Sequence, residues 1–166
     1  MIRGIVLVLA VLSTPEEALR STWSTVQDGS PRDFLYSLTS DCAERILDTC
    51  GDYLEVIRSM DRPELGHLFA SLRLEAAPDE VEYWDETAVL EMLMSSPDNR
   101  YMLRETTLTI DSITGGDSLA KAYLTLELNN SDSVSLQVHL INSALGWRTS
   151  GLQPLIEHLL GSSIRP

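Results

Sequence analysis

The chain has 166 residues, 43% of them apolar and 22% charged. That suits one globular domain with a core of its own and excludes a mainly disordered chain. Its net charge is −13, and its basic residues are scattered, with Lys121 the only lysine. Such a chain repels nucleic-acid and lipid phosphates, so neither nucleic-acid binding nor adhesion to anionic membranes is expected.

The first informative stretch is Met1–Ser13. Arg3 precedes an uncharged, mostly apolar run, Gly4–Leu12, and Val11-Leu12-Ser13 resembles a signal-peptidase site. Charged start, short apolar core and small-residue end predict a signal peptide over residues 1–13 and an exported protein, periplasmic or secreted. The competing reading is a buried N-terminal strand or helical turn. The run is far shorter than the ~20 residues of a spanning helix, so no stable membrane span is expected.

Thr14-Pro15-Glu16-Glu17 predicts a helix start: a capping hydroxyl, proline at the first helical position, and acids at the positive end of the dipole. Ala18, Leu19, Trp23 and Val26 recur at helical spacing, and Gly29 ends the helix. Ser30-Pro31 begins a short second helix through Phe34, Leu35 and Leu38. Ser40-Asp41 begins a third, with Cys42, Ile46, Cys50, Leu54 or Tyr53, and Ile57 on one face. Gly51 weakens its middle by about 1 kcal/mol relative to alanine, which allows a kink or break there. On one helix the two cysteines lie ~12 Å apart along the axis, whereas a disulfide needs Cα atoms within ~7 Å. Two buried thiols are therefore expected unless the helix breaks near Gly51. Asp61-Arg62-Pro63 opens a fourth helical stretch through Leu65, Leu68, Phe69 and Leu72.

Asp79, Glu80, Glu82, Asp85 and Glu86 make Ala76–Glu86 the most acidic segment. It lacks the alternating oxygen ligands and central glycine of a calcium-binding EF-hand loop, so a solvated loop is expected. Glu86–Ser95 is predicted helical, ended by Ser95-Ser96-Pro97-Asp98-Asn99.

Four strands follow: Glu105–Ile113, Ser118–Leu128, Ser133–Ile141 and Gly146–Leu152. Even positions are apolar (Leu108, Ile110; Ala122, Leu124, Leu126, Leu128; Val134, Leu136, Val138, Leu140) and odd positions mostly polar. That alternation predicts an antiparallel meander with one face buried and one exposed. Pairing Leu128 with Val134 keeps the apolar sets together. A two-residue Gly115-Gly116 loop would set Ile110 opposite Lys121, so a bulge or longer loop is predicted, with Ile113 near Leu119. Trp147 is open: a tight Ser143-Ala144 turn would put it on the apolar face beside Leu140, while other loops would put it with His139. Pro154–Leu160 is predicted as a closing helix ended by Gly161. The expected organisation is a single α+β domain over residues 14–160 and a loose tail over 161–166.

Helices first, then a curved meander ending in Gly146-Trp147-Arg148-Thr149-Ser150-Gly151, resemble the nuclear transport factor two-like, or cystatin-like cone, superfamily, in its exported and uncharacterised bacterial branches. The opening Thr14-Pro15-Glu16-Glu17-Ala18-Leu19 is similar to the start of many such domains. The resemblance spans roughly Thr14–Leu152 and implies a bent sheet wrapped around a helix, with a pocket inside. It also implies either a small-molecule isomerase, dehydratase or cyclase, or a non-catalytic binding domain, and a homodimer through the sheet. Fold alone does not choose between these.

Catalysis needs an acid or base aimed into the pocket. The even face is all aliphatic, so a proton-transfer group would have to come from a helix or the rim, with Asp41, Tyr53, His67 and Tyr101 as candidates. His67, His139 and His158 are far apart and form no two-histidine metal motif. Trp23, Trp84 and Trp147 are expected to pack in the core or line a pocket. No P-loop, dinucleotide fingerprint or G-x-S-x-G elbow is present. The expectation is a non-catalytic exported domain binding a small apolar ligand or a protein, with no cofactor and no metal. Its candidate surface is Trp147, Tyr123, His139 and Gln137; the alternative is an isomerase- or dehydratase-like enzyme.

Overall fold

The computed structural model describes residues 14–127 and 133–164, with side chains of the last helix described as far as His158. Met1–Ser13 and the β2–β3 turn lie outside the described residues, and with them the expected signal peptide.

Seven α-helices and four strands are described. α1 (Pro15–Asp28) starts on a reciprocal cap: the Thr14 hydroxyl accepts from the Glu17 amide at 3.2 Å, and the Thr14 amide donates to the Glu17 carboxylate at 3.1 Å. Gly29 closes it in the left-handed conformation, φ 69°. α2 (Pro31–Ser37) and α3 (Ser40–Ser59) follow. α4 (Arg62–Ser71) repeats the reciprocal cap with Asp61 and Glu64. The acidic segment forms a 3-10 turn, Pro78–Tyr83, and leads into α5 (Glu86–Ser95).

α3 is unbroken through Gly51, without the break that the glycine allows. A methyl group at Gly51 would sit 3.4 Å from the Glu86 side chain, so the glycine lies where the start of α5 crosses α3. Cys42 and Cys50 are therefore on one straight helix, both buried and both free thiols. Ile46, Cys50 and Ile57 from α3 and Val89, Leu90 and Leu93 from α5 are fully buried in the shared core.

Ser95-Ser96-Pro97-Asp98-Asn99 is expected to end the helices. Instead Pro97 opens a further helix, α6 (Pro97–Glu105), one residue after α5. Proline is as good a first helical residue as it is a terminator. The Asn99 side chain, buried, donates to the Leu93 carbonyl at 2.9 Å and ties the two helices together.

β1 (Thr107–Gly115), β2 (Leu119–Glu127), β3 (Ser133–Ser143) and β4 (Gly146–Ser150) form an antiparallel sheet in chain order. The alternation holds: Ala120, Ala122, Leu124, Leu126, Leu136, Val138 and Leu140 are buried on one face, and Tyr123, Gln137 and His139 are exposed on the other. The register differs from expectation by two residues. Val134 pairs with Leu126, not Leu128; a two-residue slip preserves the faces, so alternation alone does not detect it. The predicted bulge lies at Asp111, between the Ile110–Leu124 and Ser112–Tyr123 pairs. It turns Ile113 to the apolar side opposite Ala122, not near Leu119. Gly115 has φ 143°, and a Cβ there would fall 2.3 Å from the Leu119 carbonyl oxygen, so only glycine closes this turn.

α1 crosses the sheet and touches β1 and β4; α3 touches β4 and packs along α5. α7 (Gln153–Ile164) closes on α3 and α5 through Leu155 and Ile156. It continues past Gly161 to Ile164, so residues 161–164 are helical where a loose tail was expected. An isolated helix glycine is tolerated at a cost of about 1 kcal/mol.

Thr149 fastens these layers. Its hydroxyl lies 3.3 Å from that of Thr22 on α1, and both residues are buried. Its carbonyl accepts from the Thr39 amide at 2.9 Å, seating the α2–α3 connection against β4. Thr149→Val leaves the Thr22 hydroxyl buried without that partner, and an expected loss of about 1–3 kcal/mol is measurable by chemical denaturation. The double change Thr22→Val with Thr149→Val is expected to recover part of that loss, because neither partner is then stranded.

Candidate functional site

The interior is the natural first place for a ligand. Between α1 and the apolar sheet face the free space is about 10 Å³, walled by Leu19, Trp23, Leu108, Leu124 and Leu136 among others. A void of that size barely admits one water molecule. At this place, between α1 and the sheet, the described side chains pack together and leave no room for a ligand.

The catalytic candidates do not converge. Tyr53 is buried in α3; Asp41, His67 and Tyr101 are exposed on α3, α4 and α6. His67, His139 and His158 are exposed on three different elements. Among the described residues no group of three histidine, cysteine, aspartate or glutamate side chains is placed to hold a metal ion. No helix of the described residues is long and apolar enough to cross a membrane.

The candidate binding surface is split in two. Tyr123 lies directly opposite Gln137, and Lys121 opposite His139. The Gln137 side-chain nitrogen is 3.3 Å from His139 Nε2, and Lys121 Nζ stands 5.8 Å from the Tyr123 ring centre. These side chains share the outer face. Trp147 does not join them. The last turn is Ala144-Leu145, one residue later than the tight turn considered above, so Trp147 falls opposite Asn142 and only 6% of its surface is exposed. Trp147 is a core residue of the apolar face. Trp84 stacks on Phe69, with ring centres 5.5 Å apart, and Trp23 is half-buried beside the interior void.

The outer face leads into a groove absent from the sequence reading. It has a volume of about 650 Å³ and runs between the α2–α3 junction and the β3–β4 turn. Leu38, Ala43, Ile141 and Leu145 give it apolar walls. Arg45 and Arg148 line it against a single carboxylate, Asp41. The Arg148 guanidinium lies 4.3 Å from the ring centre of Tyr36, within the range of a cation–π contact. Arg148 takes part in none of the ion pairs among the described residues. Chemically the groove suits an apolar group carrying negative charge. Its parts come from residues 35–45 and 141–150, which no local motif connects. The Tyr36–Arg148 contact and the Thr39 amide bond to the Thr149 carbonyl join them, and both depend on the tertiary fold.

Two buried groups have shifted acidities. Burial, with the Glu86 charge adding to it, pushes the Cys50 thiol up to about 12, and burial pushes the Tyr53 phenol up to about 12. The Tyr53 hydroxyl has no hydrogen-bond partner among the described residues. Both groups are neutral in the folded protein and ionise more readily when unfolded. The stability they hold is full below pH 9 and is lost as pH rises from about 9 towards 12. Tyr53→Phe sacrifices no hydrogen bond, so thermal denaturation should show an unchanged or higher Tm at pH 7 and a shallower fall above pH 10. A marked loss of stability at pH 7 would contradict the position assigned to this hydroxyl.

No protein-family model and no curated protein sequence matches the chain. Among solved structures, a phospholipid-binding protein from Ralstonia solanacearum, determined in complex with a phospholipid, aligns with 92% of this chain and 96% of its own. The two are 11% identical and the TM-score is 0.33, a likeness that assigns neither a family nor a ligand.

Proposed function

We propose that the protein is a non-catalytic binding domain that receives its partner on its outside, across the polar face of the sheet and the groove at its end, and that it acts after export. The observation that carries this reading is the small free space between α1 and the apolar sheet face, about 10 Å³. A small-molecule enzyme on this scaffold would need an ionisable group in an open interior. The walls here are leucine, tryptophan and one threonine already bonded to Thr149. Outside, by contrast, are a groove of ligand size and a sheet face bearing Tyr123, Gln137 and His139. Kinship with the nuclear transport factor two-like superfamily is supported by the order of elements, helices and then a four-strand meander.

Methyl-resolved NMR with a small apolar probe such as indole separates inside from outside. Shifts are expected at groove residues such as Leu145 and Ile141, and none at Leu19, Leu124 or Leu136. Saturable shifts of the interior methyls would overturn the reading. Export rests on Arg3, the apolar run Gly4–Leu12 and the small-residue end at Ser13. Mass spectrometry of protein from its native host should find a mature chain beginning at Thr14; an intact Met1 in an envelope or secreted fraction excludes that cleavage.

A further inference from the structure

The charge of this molecule is unevenly placed along α3. At the N-terminal end lies the groove, where two guanidiniums face one carboxylate in a chain of 25 acidic and 12 basic residues. Lys121 and His139 stand on the adjoining rows of the sheet, with Asp117 at the neighbouring turn. Thr39 gives α3 no side-chain cap, so the positive pole of a 20-residue helix also faces this end.

Near the C-terminal end of α3 is the opposite character. The Arg58 side chain donates to the Trp84 carbonyl at 2.7 Å and holds the acidic segment beside the last turns of the helix. That segment carries Asp79, paired with Arg62 at 3.3 Å, Asp85, which caps α5, and Glu80, Glu82 and Glu86. In its midst Tyr83 projects with 87% of its surface exposed. Arg45 and Arg58 are separated by a helical rise on the order of 20 Å. The acidic segment therefore does not reach the groove of its own molecule.

We infer that the groove docks the acidic Asp79–Glu86 segment of a second copy of this chain, Tyr83 entering between the apolar walls while the Glu80 and Glu82 carboxylates meet Arg148 and Arg45. The inference rests on the outside-binding reading above and names the partner. Tyrosine is a favoured anchor at interfaces, and a negative segment on a positive groove supplies orientation. Donor and acceptor surfaces differ, so the contact is head-to-tail. Each bound copy leaves a groove at one end and a tyrosine at the other, and growth continues into a ring or a filament.

Sedimentation velocity on the mature chain, from micromolar to millimolar, tests this. The wild type is expected to exceed dimer mass as concentration rises. Tyr83→Ala and Arg148→Glu should each weaken association by about tenfold or more. Leu145→Glu, at a turn residue 59% exposed, is a second groove variant should Arg148→Glu disturb β4; circular dichroism establishes that each variant is folded. The decisive arm mixes Tyr83→Ala with a groove variant. Each has one intact end, so the mixture should form a 1:1 complex and nothing larger. A wild type that stays monomeric throughout overturns the inference. So does a dimer that grows no further and ignores Tyr83→Ala. Either result leaves outside binding to be decided by the interior methyl signals, so the two readings fail separately.

Discussion

One residue in β4 fixes how the helical layer meets the sheet. Thr149 offers its hydroxyl to Thr22 on α1 and its carbonyl to the Thr39 amide, while pairing with Leu140 on β3. Neither bond is large; a net hydrogen bond contributes about 1 kcal/mol, less than the burial of one leucine. Their importance lies in direction. Hydrophobic burial would accept α1 at many angles over a flat apolar face, but two buried polar groups are satisfied only in one. The same arrangement seats the α2–α3 connection on β4, and the groove exists because those two elements lie side by side.

The close packing of α1 on the sheet then shifts attention to the surface. Ala120 and Ala122 let the helices come close, and leucines from β2 and β3 take up the remaining space. The aliphatic wall that disfavours proton transfer in the sequence also closes the space a substrate would need. The polar residues on the far face carry no packing role that explains them. Among the described residues, Tyr123, Gln137 and His139 are exposed there, Tyr123 beside Lys121 and Gln137 beside His139.

Much of the fold was legible because its signals are local. Thr14-Pro15-Glu16-Glu17 and Asp61-Arg62-Pro63-Glu64 announce helix starts whose bonds close within four residues. The two faces of the sheet follow from alternation alone, and the conflict at Ile110 and Lys121 pointed to a bulge. What was illegible depends on distance in sequence. Register modulo two leaves no trace in a pattern of period two, so Val134 was matched to the wrong leucine. Pro97 carries the same local meaning whether it ends one helix or begins another; the Asn99 bond back to Leu93 decides it. Trp147 stayed open between the two faces because loop length decides it; a two-residue loop, at Ala144-Leu145 as at Ser143-Ala144, keeps it on the apolar side, and there it is buried. The groove brings Tyr36 to Arg148 across more than a hundred residues, beyond any motif.

The bulge at Asp111 has a consequence for the life of the protein in concentrated surroundings. β4 has its outer side occupied by the Leu38–Thr39 connection, but β1 ends the sheet with its far edge unpaired by any strand among the described residues. A straight edge of nine residues would invite the strands of other chains to add on. The extra residue bends that edge, and the Asp111 carboxylate, held by the Thr125 hydroxyl at 2.8 Å, plants a charge beside it. The irregularity that first appeared as a problem of pairing thus interrupts the straight run of the sheet's edge strand.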